Sequence, residues 1–178
     1  MKKAGKRRAA RAMAVQMLYQ SDLGGSPLPQ IFRNFDPRSY WTDRGKEDEE
    51  NGAAEDGESS KPTDGDLARA QHDLEQLREG FEYAKTLVEG TRKHQEKIDA
   101  LIQRQADNWR LERMPAVDRN ILRLAVYEML YETDVPKLVV VDEAIELAKE
   151  FGSDQSSRFV NGLLDGLLKS RDLPGHMT

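Results

Sequence analysis

The chain has 178 residues, 38% of them apolar and 33% charged, which suits one domain around a single core. No apolar run approaches the ~20 residues that cross a bilayer. The absence of cysteine excludes disulfides, thiolate metal sites and cysteine nucleophiles, and it fits a reducing cytoplasm, where we expect the protein. A net charge of −5 argues against nucleic acid, but the first eleven residues hold six cations and no acid, so the charge is strongly polarised.

The first predicted helix covers residues 6–23 and ends at Gly24 and Gly25. The cations lie at its N-terminal end, where the helix dipole disfavours positive charge by about 0.3–1 kcal/mol each at low salt. Several cations at the one helix end that disfavours them suggest that these residues serve a function. The same helix carries an apolar face, which would fix the arginines relative to the body. The alternative is a disordered, solvated basic tail.

A short helix and an acidic insert follow. Ser26 and Pro27 have the pattern of a helix cap and a first helical residue, and Pro37 ends this helix. Residues 43–66 contain ten acidic and three basic residues with almost no apolar ones, so we expect them to be disordered. We favour a tolerated loop insertion over an acidic mimic of nucleic acid that folds back on the basic end. We also expect a short flexible tail at residues 171–178.

Three further helices are predicted in the middle of the chain. Residues 67–88 carry a heptad seam that Gly80 could interrupt, and we expect it to pack within the domain and not as a dimeric coiled coil. Gly90 and Thr91 predict a stop and a new cap before an inward-facing helix that reaches Trp109. Residues 115–131 are apolar on more than one face, which is typical of a helix surrounded by others. Residues 138–141 are β-branched but have no partner strand, so we interpret them as the start of the next helix.

Residues 141–168 predict two amphipathic helices. We expect Gly152 to end the first with a positive φ and Ser153 to cap the second. The first turn of the second helix is polar, and its free N–H groups and dipole could hold a phosphate. The plainer interpretation is an ordinary stop and cap between core helices. We interpret Gly162 and Gly166 as close contacts between helices.

Patterns of catalysis are not found. The two glycines at 162 and 166 echo a phosphate-binding loop, but the spacing is wrong and no strand precedes them. The three histidines lack metal-ligand spacing, and the carboxylates Asp142, Glu143 and Glu146 lack the Glu-x-x-His pattern of a di-metal bundle. We therefore predict a protein that is not an enzyme and needs no metal or cofactor.

Three ordered motifs carry a resemblance to a known family. They are KRRAARAMAVQMLYQ at residues 6–20, LERMPAVDRNILRLAVYEML at residues 111–130, and EAIELAKEFG followed by FVNGLLD near the C-terminus. Together they resemble the NusB family of transcription antitermination factors. The resemblance implies an all-α fold, a NusB-like bundle of about seven helices in one domain.

The resemblance also implies a function and its residues. NusB-like proteins bind boxA elements of ribosomal RNA leaders together with NusE, a ribosomal small-subunit protein, within the transcription elongation complex. The RNA-binding residues implied here are Lys3, Lys6, Arg7, Arg8 and Arg11 in the first helix and Ser153, Gln155, Ser156, Arg158 and Phe159 in the polar turn. Gln155 stands where an acidic residue is expected in familiar members. The implied partner-binding residues are Glu112, Arg113 and Asp118.

Other interpretations stay open at this point. The chain could be a helical adaptor that binds only protein, or a detached RNA-binding part of a ribosomal RNA methyltransferase system. Glu112 and Asp118 could simply cap the helix that begins near Pro115. The free protein could be a monomer or a homodimer.

Overall fold

A computed structural model describes residues 3–38, 64–106, 110–170 and 173. The described residues form seven α-helices and one short 3₁₀ turn: α1 Lys3–Gly24, α2 Leu28–Asn34, α3 Asp64–Lys93, α4 Gln95–Gln105, the 3₁₀ turn Leu111–Arg113, α5 Ala116–Tyr131, α6 Lys137–Phe151 and α7 Ser156–Lys169. No β-strand occurs among them, which confirms the all-α prediction. No helix in this part of the chain is long and apolar enough to cross a membrane.

The predicted insert lies mostly outside the described residues, as do Trp109 and most of the predicted tail. The last three residues assigned to the insert, 64–66, belong instead to α3, which begins before the heptad seam. The seam packs within the domain from Leu77 onward, whereas Leu67 and Leu74 remain about half exposed. Gly80 does not interrupt this helix.

Helix α5 lies at the centre of the bundle, and nearly all of its side chains between 118 and 129 are buried. Helix α1 packs against α3 and α5, while α6 and α7 pack against each other and against α5. The fully buried side chains include Met13, Met17, Leu87, Ile121, Leu122 and Leu164. Each such side chain stabilises the fold by about 1.5–3 kcal/mol. This packing fixes the direction of α1 and therefore the position of its basic end.

An ionic network ties the C-terminal end of α1 to α4 and α5. Asp22 accepts hydrogen bonds from Arg119, at 2.7 and 3.0 Å, and pairs with Arg123 at 3.0 Å. Arg123 also donates to both carboxylate oxygens of Asp99 on α4, at 2.7 and 2.9 Å. The three helices are thereby held in register around groups that are largely shielded from water.

The predicted stop at Gly90 and Thr91 is wrong, because α3 continues to Lys93 and the break comes at His94. A side chain at Gly90 would overlap the ring of Tyr127, so glycine serves a close helix contact there. His94 stacks on Tyr131 with ring centroids 4.2 Å apart. Local sequence alone could not distinguish a glycine that ends a helix from one that admits a neighbour.

The junction between α6 and α7 also differs from the prediction. Gly152 does end α6, as predicted, but with a φ of −93° and not a positive one, and a side chain there would overlap Ser156. Ser153 is not the cap; α7 begins at Ser156, whose Oγ accepts the Ser153 N–H at 2.8 Å. Gly166 does make a close contact, with Gln105, but nothing lies near Gly162. The predicted helical start after Pro136 is confirmed, since residues 138–141 lie in α6.

Candidate functional site

The basic end of α1 consists here of Lys6, Arg7 and Arg8, which lie just before the buried face of the helix. Lys3 begins the helix, but its side chain lies outside what the structure describes. The three side chains are intermediate in exposure, and the buried residues from Ala9 onward anchor the helix that carries them. The predicted arrangement, cations fixed to a packed helix, is therefore present for these three.

Acidic residues on two other helices accompany this basic end. Lys6 pairs with Glu79 of α3 at 3.2 Å. Arg8 lies 3.4 Å from Glu143 and 3.6 Å from Glu146, both on α6. Exposed pairs of this kind contribute only about 0.2–1 kcal/mol each, so an RNA phosphate could compete for the same cations. The basic end is thus placed against α6.

Arg11 does not belong to this surface, which corrects the sequence prediction. Its side chain is 4% exposed and its guanidinium donates three hydrogen bonds to Glu128, at 2.7, 2.9 and 3.0 Å. Burial alone would lower the pKa of Arg11, but the hydrogen bonds and charge of Glu128 outweigh burial and raise it. The guanidinium is committed to holding α1 on α5 and is closed to phosphates.

The polar turn before α7 borders a cavity of about 350 Å³. The lining residues are Pro115, Asp118, Ser153, Gln155, Ser156, Arg158 and Phe159. Of the five residues predicted to contact RNA here, Ser153, Gln155 and Arg158 are exposed and Phe159 is partly buried. Ser156 is 1% exposed and organises the turn through its hydrogen bonds with Ser153. The structure therefore brings all five together, with Ser156 in a supporting position.

Asp118 is the second correction, because it is 3% exposed and not part of an open acidic patch. Burial raises the pKa of its carboxyl group, and a hydrogen bond with Ser156 only partly opposes that. Its Oδ1 atom has no hydrogen-bond partner among the described residues. The predicted partner residue and the predicted RNA turn therefore share one cavity, which sequence spacing did not reveal.

Glu112 and Arg113 are exposed on the 3₁₀ turn, as a partner surface requires. They border an open cavity of about 590 Å³ together with Gln103 and Arg110. Arg119 stabilises the turn by donating hydrogen bonds to the carbonyl groups of residues 111 and 114. The N-cap of α5 is Pro115, which makes no side-chain hydrogen bond, so the residue that caps this helix is neither Glu112 nor Asp118. Asp118 lies in the first turn, where the helix dipole favours an acid.

The α6 carboxylates Glu143 and Glu146 have a role that their sequence pattern did not suggest. From the sequence they were candidates only as metal ligands, yet they face the basic end of α1. Their three-residue spacing on one helix was the available signal, since residues so spaced share a face. No group of His, Cys, Asp or Glu suited to a metal occurs in the described ranges.

Comparisons with known proteins agree on one family. The model of the NusB family matches residues 49–169. A Myxococcus xanthus relative, described as transcription antitermination protein NusB, is 35% identical over 96% of this chain and 99% of its own. The solved structure of T. maritima NusB is 32% identical, with a TM-score of 0.62 over 92% of this chain and 91% of that one. A crystal structure of the antitermination factors NusB and NusE with dsRNA has a matching chain at 25% identity and a TM-score of 0.62, covering 95% of this chain and 98% of that one.

Proposed function

Because this chain belongs to the NusB family, we propose that it is an RNA-binding transcription antitermination factor that acts with NusE on boxA-type ribosomal RNA leaders. The observation that supports the proposal is the position of α6 between the two segments that we predict to bind RNA. The basic end of α1 contacts Glu143 and Glu146 of α6, and the C-terminal end of α6 leads directly into the polar turn. One helix thus connects a cationic segment to a polar one.

Phosphate contacts by Lys6, Arg7 and Arg8 would position the RNA without reading its sequence. The exposed side chains of the polar turn, Gln155 and Arg158, would continue the footprint at the other end of α6. From Glu146 to the first residues of that turn is about seven residues, or roughly 10 Å of helix at 1.5 Å per residue. A single strand of RNA can bridge that distance, so the two segments are compatible with one ligand.

The partner side adjoins the RNA side. Pro115, three residues after Glu112, borders the same cavity as Phe159, and Glu112 itself is exposed on the turn that precedes α5. A solved complex of NusB, NusE and dsRNA supports a joint protein and RNA surface in this family. A basic ribosomal protein against Glu112 would gain association rate and specificity from the charge complementarity.

We further propose that the protein binds and does not catalyse, and that it acts in the cytoplasm, where transcripts are made. The relatives are described as antitermination proteins, which supports a binding role. Association with NusE and RNA would then be the measurable activity.

The test is RNA binding by a variant with Arg7 and Arg8 both changed to Glu. Affinity should fall for every RNA, and the salt dependence should flatten by roughly 0.7 for each phosphate of single-stranded RNA that the variant no longer neutralises. Helical content should hardly change, because surface substitutions usually shift stability by under ~0.5 kcal/mol. The matched control reverses Arg69 and Arg78, two exposed cations of α3 that lie outside this surface. Equal reductions in both variants, or no reduction in either, would refute the assignment.

The partner contact is tested separately by Glu112→Lys, because this side chain is exposed and its reversal leaves the core intact. NusE binding should weaken, because the attraction is removed and a new repulsion takes its place. RNA binding by the isolated variant should not weaken, because the new lysine adds a cation to the surface and cations attract the phosphates of RNA. Unchanged affinity for NusE would move the protein interface away from the 3₁₀ turn.

A further inference from the structure

A groove lies beside the basic end, between α1 and the segment that leads into α6. It encloses about 470 Å³, within the roughly 300–1,000 Å³ typical of small-molecule sites. Its lining residues are Arg7, Arg11, Asp134, Val135, Pro136, Val139 and Glu143. Cations, carboxylates and apolar side chains therefore meet in one groove next to the proposed phosphate contacts.

The apolar part of the groove is open to solvent. Val139 is 43% exposed, and its neighbour Leu138 is 71% exposed on the first turn of α6. Val135 lies beneath at 5% exposure. A flat, largely apolar ring could cover Val139 and Pro136 and remove that surface from water. A nucleobase is such a ring, and an RNA bound at Arg7 would bring its bases to this groove.

Glu143 supplies a hydrogen-bond acceptor at the same place. The side chain is 22% exposed and lines the groove, so its carboxylate can be reached from there. Its Oε2 atom lies on the shielded side and has no hydrogen-bond partner among the described residues. Arg8 and Arg11 approach it only to 3.4 and 3.7 Å, which is ion-pair attraction and not a close hydrogen bond. An ionised carboxylate can accept but not donate, so it favours a ligand that offers an N–H group.

These features complement each other in an RNA complex. Phosphate contacts carry no direct sequence information, so selectivity requires contacts with bases. Carboxylates of Asp and Glu read bases by accepting from the exocyclic amine of cytosine. Uracil has a carbonyl oxygen at the corresponding position. That oxygen and the Glu143 carboxylate are both acceptors, so they could not form a hydrogen bond.

We propose that this groove is a nucleobase pocket that takes an unstacked base with an exocyclic amine, cytosine above all. Arg7 holds the adjacent phosphate, Val139 packs against the ring and Glu143 accepts the amine hydrogen bond. The assignment rests on the proposed RNA-binding function and adds the class of base that the protein selects.

The experiment compares the affinity of the full chain for oligocytidine and oligouridine of equal length at matched salt. Oligocytidine should bind about ten-fold tighter, the effect of one hydrogen bond to a charged group. In Glu143→Gln, the amide keeps the size of the side chain but can also donate. The preference should therefore fall to about parity or turn towards uridine.

Glu146→Gln is the matched control, because Glu146 also contacts Arg8 and lies on the same helix but does not line the groove. It removes the same charge, so total RNA affinity can rise in both variants, whereas only Glu143→Gln should change the cytidine preference. Val139→Phe fills the groove without altering any charge. It should abolish the preference while leaving the salt dependence intact, and it decides the question if Glu143→Gln fails to fold.

The outcomes separate the pocket from the function. If the native protein binds both homopolymers equally, the pocket is refuted and the proposed RNA binding stands. If it binds neither at low salt, where phosphate attraction is strongest, the proposed function itself fails. A decrease of the preference in Glu146→Gln as large as in Glu143→Gln would also overturn the pocket, because the effect would then be one of general charge.

Discussion

Replacing Glu128 by Gln should destabilise the fold strongly, because the change leaves the Arg11 guanidinium buried without its main partner. The two side chains are 4% and 1% exposed, and three hydrogen bonds of 2.7–3.0 Å join them. Arginine cannot shed its proton. Among the acids that the structure describes, Glu143 at 3.7 Å then remains to offset the charge.

Removing one member of a buried ion pair costs about 3–5 kcal/mol. Natural domains are stable by only about 5–15 kcal/mol, so this variant would lose a large part of its stability. For a chain of this size, the melting temperature should fall by about 6–20 °C. Urea unfolding followed by circular dichroism measures the free energy directly.

The control variant combines Arg11→Met with Glu128→Met, which removes both charges and keeps apolar volume. Replacing a whole buried pair in this way is often neutral or stabilising by about 1–4 kcal/mol. This variant should also keep the native salt dependence of RNA binding, since Arg11 is closed to phosphates. A destabilisation below about 1 kcal/mol in Glu128→Gln would refute the buried pair. A flatter salt dependence of RNA binding in the double variant would return Arg11 to the phosphate-contacting surface.

Two further predictions concern stability. Gly152→Ala should lower the free energy of unfolding by about 1–3 kcal/mol, because the new methyl group overlaps Ser156. Gly162→Ala meets open space and should raise it by about 0.5–1 kcal/mol. Chemical denaturation measures both variants, and the reverse order of stability would contradict this prediction. Burial would raise the pKa of Asp22, but hydrogen bonds from two arginines of α5 lower it below its ordinary value. Its contribution is therefore present above the unfolded-state pKa and is lost as pH falls through the folded-state pKa. The pH dependence of unfolding should be shallower on the acid side in Asp22→Asn, and identical profiles would exclude this role.

The sequence alone was sufficient to predict most of the helices and to identify the family. Helical periodicity is a local property, so α1, α5 and the final pair could be located from the spacing of their apolar residues. The three motifs identified the family because each lies within a continuous stretch. Glu112 and Arg113 were predicted as partner residues from the second motif, and the structure shows that both are exposed on the 3₁₀ turn.

The tertiary structure decided which charges are available. Arg11 looks like its basic neighbours in sequence, but it lies one helical turn further along α1, where Glu128 meets it from 117 residues away. Asp118 looked like an exposed acid until α7 covered it with Ser156. Gly90 looked like a helix stop, yet it lies inside α3 and leaves room for the ring of Tyr127. Gly152 does end α6, but only the structure showed that Ser156 packs against it. Burial and steric overlap depend on segments that are distant in the chain, and a local sequence pattern does not show which distant segment packs against a given residue.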